Sequence, residues 1–154
     1  MEFDSRIKEA LKKMNFVERY EKLAKTFDEV RTPSNEMLEN HDGEEVIETI
    51  QELGYVAIFD SKEKFFKTKD EKIGDFSFRV HIILRYGIAD FVWVVNEGKK
   101  LIWGYPFSMY PSILISPEYL ISKPVFGTYE DLDEILKITF EMFEDFKTAL
   151  IDIK

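Results

Sequence analysis

Few residues in this chain have the chemistry for catalysis or metal binding. There are two histidines, His41 and His81, and no cysteine. Disulfides, thiolate metal sites, a cysteine nucleophile and a histidine-rich metal site are therefore excluded, whereas a mixed site of histidine and carboxylates is not. No His-Glu-x-x-His pair, Gly-x-Ser-x-Gly elbow, Walker phosphate loop or Gly-x-Gly-x-x-Gly turn occurs. No metal and no cofactor is expected. His41 sits in a polar, acidic stretch and reads as a solvated loop residue. His81 stands between Arg79 and Arg85 at even spacing. On a strand these three share one face. That face suits an anion or a carboxylate-bearing partner, or is an ordinary polar strand face.

Carboxylates cluster at Asp42, Glu44, Glu45 and Glu48, and again at Asp131, Asp133 and Glu134. Hydrolases use two opposed carboxylates, one with its pKa raised by burial. Both clusters fall where helices are expected to start, and acids there cap the helix and complement its dipole. Residues 70–75 lack the alternating ligands of a calcium loop. The most distinctive segment is 103–111, with Trp103, Tyr105, Phe107, Met109 and Tyr110 interleaved with prolines. These side-chain types dominate interface hot spots, and proline lowers the ordering cost of a loop. The same rings could instead fold inward to cap a core.

The chain has 154 residues and a net charge of -9 from 21 basic and 30 acidic side chains. Its length suits one domain. With 45% apolar residues and 14 Phe, it has ample material for a core. The charge is uneven: residues 1–54 carry -6, 55–127 carry +2 and 128–154 carry -5. Acidic ends repel a phosphate backbone, so no nucleic acid is expected. They attract basic proteins and speed encounter with them, with Glu141, Glu144 and Asp145 the expected contacts in the last segment. No basic and apolar leader and no run of 18 apolar residues is present, so a cytoplasmic protein without a membrane span is expected.

The elements that must position these residues are legible from periodicity. Phe3, Ile7, Ala10, Met14 and Val17, then Phe16, Tyr20, Leu23, Phe27 and Val30, form two offset helical rows that change over at Asn15. Asp4 or Ser5 is the expected cap, and Pro33 breaks the pattern. Asp42 should cap a second helix that Gly54 ends. Residues 55–59 and 63–69 read as short strands, and 70–75 as a polar connection. Residues 76–86 alternate strictly, with Phe76, Phe78, Val80, Ile82, Leu84 and Tyr86 on one face and Ser77, Arg79, His81, Ile83 and Arg85 on the other. Strands at 89–95 and 101–105 follow, joined by a Gly98 turn. Residues 113–115 and 124–126 read as further short strands. Thr128 should cap a last helix whose stripe is Leu132, Ile135, Leu136, Thr139, Phe143, Phe146 and Leu150. The expected core adds Val92 and Val94.

The order predicts an α+β fold: two or three N-terminal helices, an antiparallel meander of four to six strands, and a C-terminal helix packed on one sheet face. In size, charge and element order the chain resembles small acidic immunity proteins, which neutralise basic toxin domains. The resemblance carries no residues over. Two functions are open. One is a non-enzymatic domain that binds a basic protein through Trp103, Tyr105, Phe107, Met109, Tyr110, Glu141, Glu144 and Asp145. The other is a small-ligand binder or enzyme that uses Arg79, His81 and Arg85.

Overall fold

Asp4 starts the first helix by accepting the backbone N–H groups of Arg6 and Ile7, and α1 runs over Ser5–Lys13. The computed structural model describes residues 2–153. Asn15 is left-handed, with φ 58° and ψ 45°, a conformation that interrupts a right-handed helix. The helical stretch is therefore two helices, and α2 spans Phe16–Thr26. Val30, placed by spacing on the second row, lies beyond the helix end and is 88% exposed. A short turn at Ser34–Glu36 leads to α3, Gly43–Glu52, whose cap Asp42 accepts the Glu44 N–H.

Six strands form one antiparallel sheet: β1 (Ala57–Asp60), β2 (Phe65–Thr68), β3 (Glu71–Ile73), β4 (Phe76–Arg85), β5 (Ile88–Glu97) and β6 (Lys100–Trp103). The order is β1-β2-β4-β5-β6, with β3 also paired to β4. Residues 70–75 are thus not merely a connection. Glu71–Ile73 folds back on Phe76–Phe78 around Gly74, whose φ is positive. Backbone pairing there is indifferent to the polar side chains. Between β4 and β5, Tyr86 and Gly87 both have positive φ, the conformation of a two-residue hairpin turn. A Cβ on Gly87 would lie 2.6 Å from the Met37 Cβ and 2.9 Å from the Phe126 carbonyl, so the turn requires glycine.

The alternation holds within β4, with Phe78, Val80, Ile82 and Leu84 all buried, but Tyr86, expected on the same face, sits in the turn at positive φ and is 70% exposed. On β5 the expected phase is corrected. Register pairs Val80 with Trp93 and Ile82 with Phe91, which sends Ala89, Phe91, Trp93 and Val95 into the core. Val92 lies half-buried opposite His81 on the other face, outside that core cluster, whereas Val94, opposite Arg79 on that same face, is buried as expected, at 4% exposure. Residues 113–115 are also corrected. They belong to a short helix, α4 (Tyr110–Leu114), or follow it, because Pro111 in the first turn fixes a helical φ and needs no N–H partner. Of 124–126 only an isolated bridge forms, Val125 to Ile88.

The last helix, α5, is Tyr129–Ile151, with the Thr128 hydroxyl accepting the Asp131 N–H. All seven residues of its expected stripe are buried, joined by Phe140, Met142 and Lys147. Its rings pack on the sheet: Phe146 stacks on Trp93 at 4.7 Å, and Phe143 lies 5.8 Å from Trp93. The architecture is α+β, with helices on one face of the sheet. Among the described residues no helix is long and apolar enough to cross a membrane.

Candidate functional site

The aromatic segment after β6 folds inward. Phe107 and Tyr110 are fully buried and Trp103 is 1% exposed. The Phe107 ring meets Phe16, Tyr20, Phe91, Trp93 and Tyr110 at 4.7–5.6 Å. The Trp103 indole N–H donates to the Tyr110 hydroxyl at 2.8 Å. Trp103, Phe107 and Tyr110 are therefore core residues and not surface anchors, a correction that follows from the area such rings remove from water. Tyr105 is half-buried, and Met109, 41% exposed, is the one member that reaches solvent freely.

The same folding opens a trough beside β6. A cavity of about 870 Å³ is lined by residues 2–5 and Lys8 on one side and by the whole run 100–105 on the other. Phe3 contacts both Trp103 and Tyr105 edge-on, at 6.2 and 5.2 Å, and forms its apolar wall. Leu101, 60% exposed, stands at its rim. β6 ends the sheet, so its outer edge forms a wall of the trough. Lys8 and Lys100 balance Glu2 and Asp4 in charge. Sequence reasoning named Trp103 and Tyr105 for this region but placed Phe3 on the apolar row of the first helix; Phe3 instead precedes the cap Asp4 and packs on these two rings.

Of the three acidic contacts expected in α5, Glu144 and Asp145 are engaged within the chain. Asp145 pairs with Arg19 at 2.8 Å. Glu144 accepts the Tyr55 hydroxyl and pairs with Lys147 at 2.6 Å. Lys147 is 3% exposed. It also meets Glu71 at 2.6 Å and lies over the Phe143 ring at 4.6 Å. Glu141 and Glu144 do share a cavity of about 440 Å³ with Tyr55, Phe140, Glu71 and Lys137. Asp145 is not part of it.

On the other sheet face, Arg79 and His81 line a groove of about 630 Å³ with Val56, Ile58, Phe65, Lys67 and Lys69. Arg85 is excluded. It lies four residues further along β4, about 13 Å from His81. The Arg79 Nε donates to the His81 Nε2 at 3.1 Å, and Phe65 stacks on the imidazole at 4.3 Å. Burial, then the charges of Arg79 and Lys67, pull the His81 pKa down to about 4. His81 is thus a neutral acceptor at pH 7, already engaged by Arg79 and unsuited to donate a proton in catalysis. Asp70 pairs with Arg79 at 3.3 Å, and Asp60 with Lys67 at 3.4 Å. His41 is half-buried with its ring 6.0 Å from Phe66, rather than solvated. Among the described residues no group of three His, Asp or Glu could hold a metal ion.

Comparison with protein-family models, curated proteins and solved structures finds no match to this chain.

Proposed function

We propose that this chain is a non-enzymatic protein-binding domain that seats an extended segment of a partner in the trough along β6. The observation that carries the reading is that the free edge of a strand forms one wall of the cavity of about 870 Å³. An edge strand offers unpaired N–H and C=O groups as a template for an added strand, and an adjacent hollow selects its side chains. Phe3, Tyr105 and Leu101 supply the apolar contacts. The net charge of -9 favours a basic partner by speeding encounter before contact. An immunity-type or inhibitor role, covering a basic toxin domain, is the form this reading takes when charge and size are weighed together.

The test is affinity purification with the wild type and with Leu101→Asp. Leu101 is exposed, so the variant folds, and it places a charge at the rim of the trough. A specific protein retained by the wild type and lost by Leu101→Asp supports the reading. Retention by both excludes the trough. The second reading, a small-ligand site, is favoured by the groove at Arg79 and His81. Turnover or binding of a small molecule that disappears in a folded His81→Ala variant would promote it.

A further inference from the structure

We infer that the free edge of β1 pairs with β1 of a second copy of this chain about a twofold axis at Ile58. This rests on a different edge from the trough, and the two readings fail separately. Natural edge strands are guarded by charge, proline, bulges or a covering element. β1 is not. Its neighbour Val56 is 61% exposed, Ile58 56% and Phe59 43%, and no charge or proline falls between 56 and 59.

The backbone sets the register. Lys69 donates its N–H to the Val56 carbonyl, so Val56, Ile58 and Asp60 face β2. By the alternation of antiparallel pairing, Ala57 and Phe59 direct their N–H and C=O groups to the free edge. A twofold axis at Ile58 sets Ala57 of each copy opposite Phe59 of the other, as two hydrogen-bonded pairs. The two Ile58 side chains then become cross-strand neighbours on the sheet face of the His81 groove, and each Phe59 covers the other copy's Ala57 position.

The charges at the two ends of the strand are complementary under the same operation. Lys62 and Lys64 follow β1, are exposed and have no side-chain partner among the described residues. Glu52 precedes β1 at the C-terminal end of α3, a last turn that holds no basic residue. Antiparallel pairing brings Lys62 and Lys64 of one copy abreast of Glu52 of the other, where cations complement both the carboxylate and the helix dipole. Asp60 adds no repulsion, since Lys67 and the N–H groups of Lys62 and Glu63 already hold it. A four-residue edge buries less than the ~1,000 Å² of a tight interface, so the dimer is reversible.

Sedimentation equilibrium over a range of protein concentrations tests this, at ~0.15 M salt to screen repulsion between the acidic bodies. The mass should rise toward twice the monomer with concentration. Ile58→Lys should weaken association at least tenfold without lowering the melting temperature. Lys62→Glu with Lys64→Glu should weaken it too, and adding Glu52→Lys should restore it. Because the chain has no cysteine, Ile58→Cys provides a single thiol, which should cross-link under oxidised glutathione far faster than Ile115→Cys. A monomer at every concentration overturns the proposal. So does a dimer indifferent to Ile58→Lys, a charge swap that fails to restore, or equal cross-linking of the two cysteine variants.

Discussion

Replacing Tyr110 by Phe removes one oxygen atom and tests how the aromatic segment is folded. That oxygen accepts the Trp103 indole N–H at 2.8 Å, with the Trp93 backbone N–H also directed at it. Both donors belong to residues no more than 1% exposed, so water cannot replace the lost acceptor. Leaving a buried donor unpaired costs about 1–3 kcal/mol, so Tyr110→Phe should destabilise by about 2 kcal/mol. For a chain of this size in urea, with a slope of ~2 kcal/mol per molar, the midpoint should fall by ~1 M with the slope unchanged. Urea unfolding followed by tryptophan fluorescence reads this directly, since Trp93 and Trp103 both adjoin the lost oxygen. A loss below ~0.5 kcal/mol would show that the hydroxyl is solvated and the segment turned outward, and the reasoning would be wrong.

Three further outcomes are expected. Phe143→Ala, at a site 1% exposed beneath Phe78 and Trp93, should cost about 3–5 kcal/mol in the same assay; less than ~1 kcal/mol would mean that α5 is not docked there. His81 should stay neutral at pH 6 and take up its proton near pH 4, read from its ring signals by NMR. The unfolded chain binds that proton near pH 6.5, so stability should fall as pH drops from about 6.5 to about 4, and His81→Gln should flatten part of that slope. An ordinary titration of the His81 ring would refute the Arg79 and Phe65 packing. Duplex DNA should not bind in a salt-sensitive way at near-physiological salt, given the net charge of -9; micromolar binding that weakens steeply with salt would contradict this.

Local patterns were readable in the sequence wherever one residue or one period decides the outcome. Asp4, Asp42 and Thr128 cap helices by side-chain bonds to neighbours two or three positions on, and Asn15 breaks the first helical stretch where its apolar rows change over. The alternation of β4 declares its buried face because the other face is polar. β5 gives no such signal, since Phe91, Val92, Trp93, Val94 and Val95 are apolar throughout. Only pairing to β4 decides which of them enter the core. The strand Glu71–Ile73 was hidden for the opposite reason: three residues, two of them charged, show no alternation, and pairing with β4, the Glu71–Lys147 ion pair and the packing of Ile73 hold it. The site was less legible than the fold. Residue type marked 103–110 as unusual, but whether rings point into water or into a core depends on what lies opposite, and here that is Phe16, Tyr20 and Trp93 from distant elements. Likewise Glu144 and Asp145 looked like free acids on a helix. Lys147, Tyr55 and Arg19 claim them, and two of these three come from other parts of the chain. Sequence fixes what a side chain can do over three or four residues; contacts across the fold decide what remains free to do it.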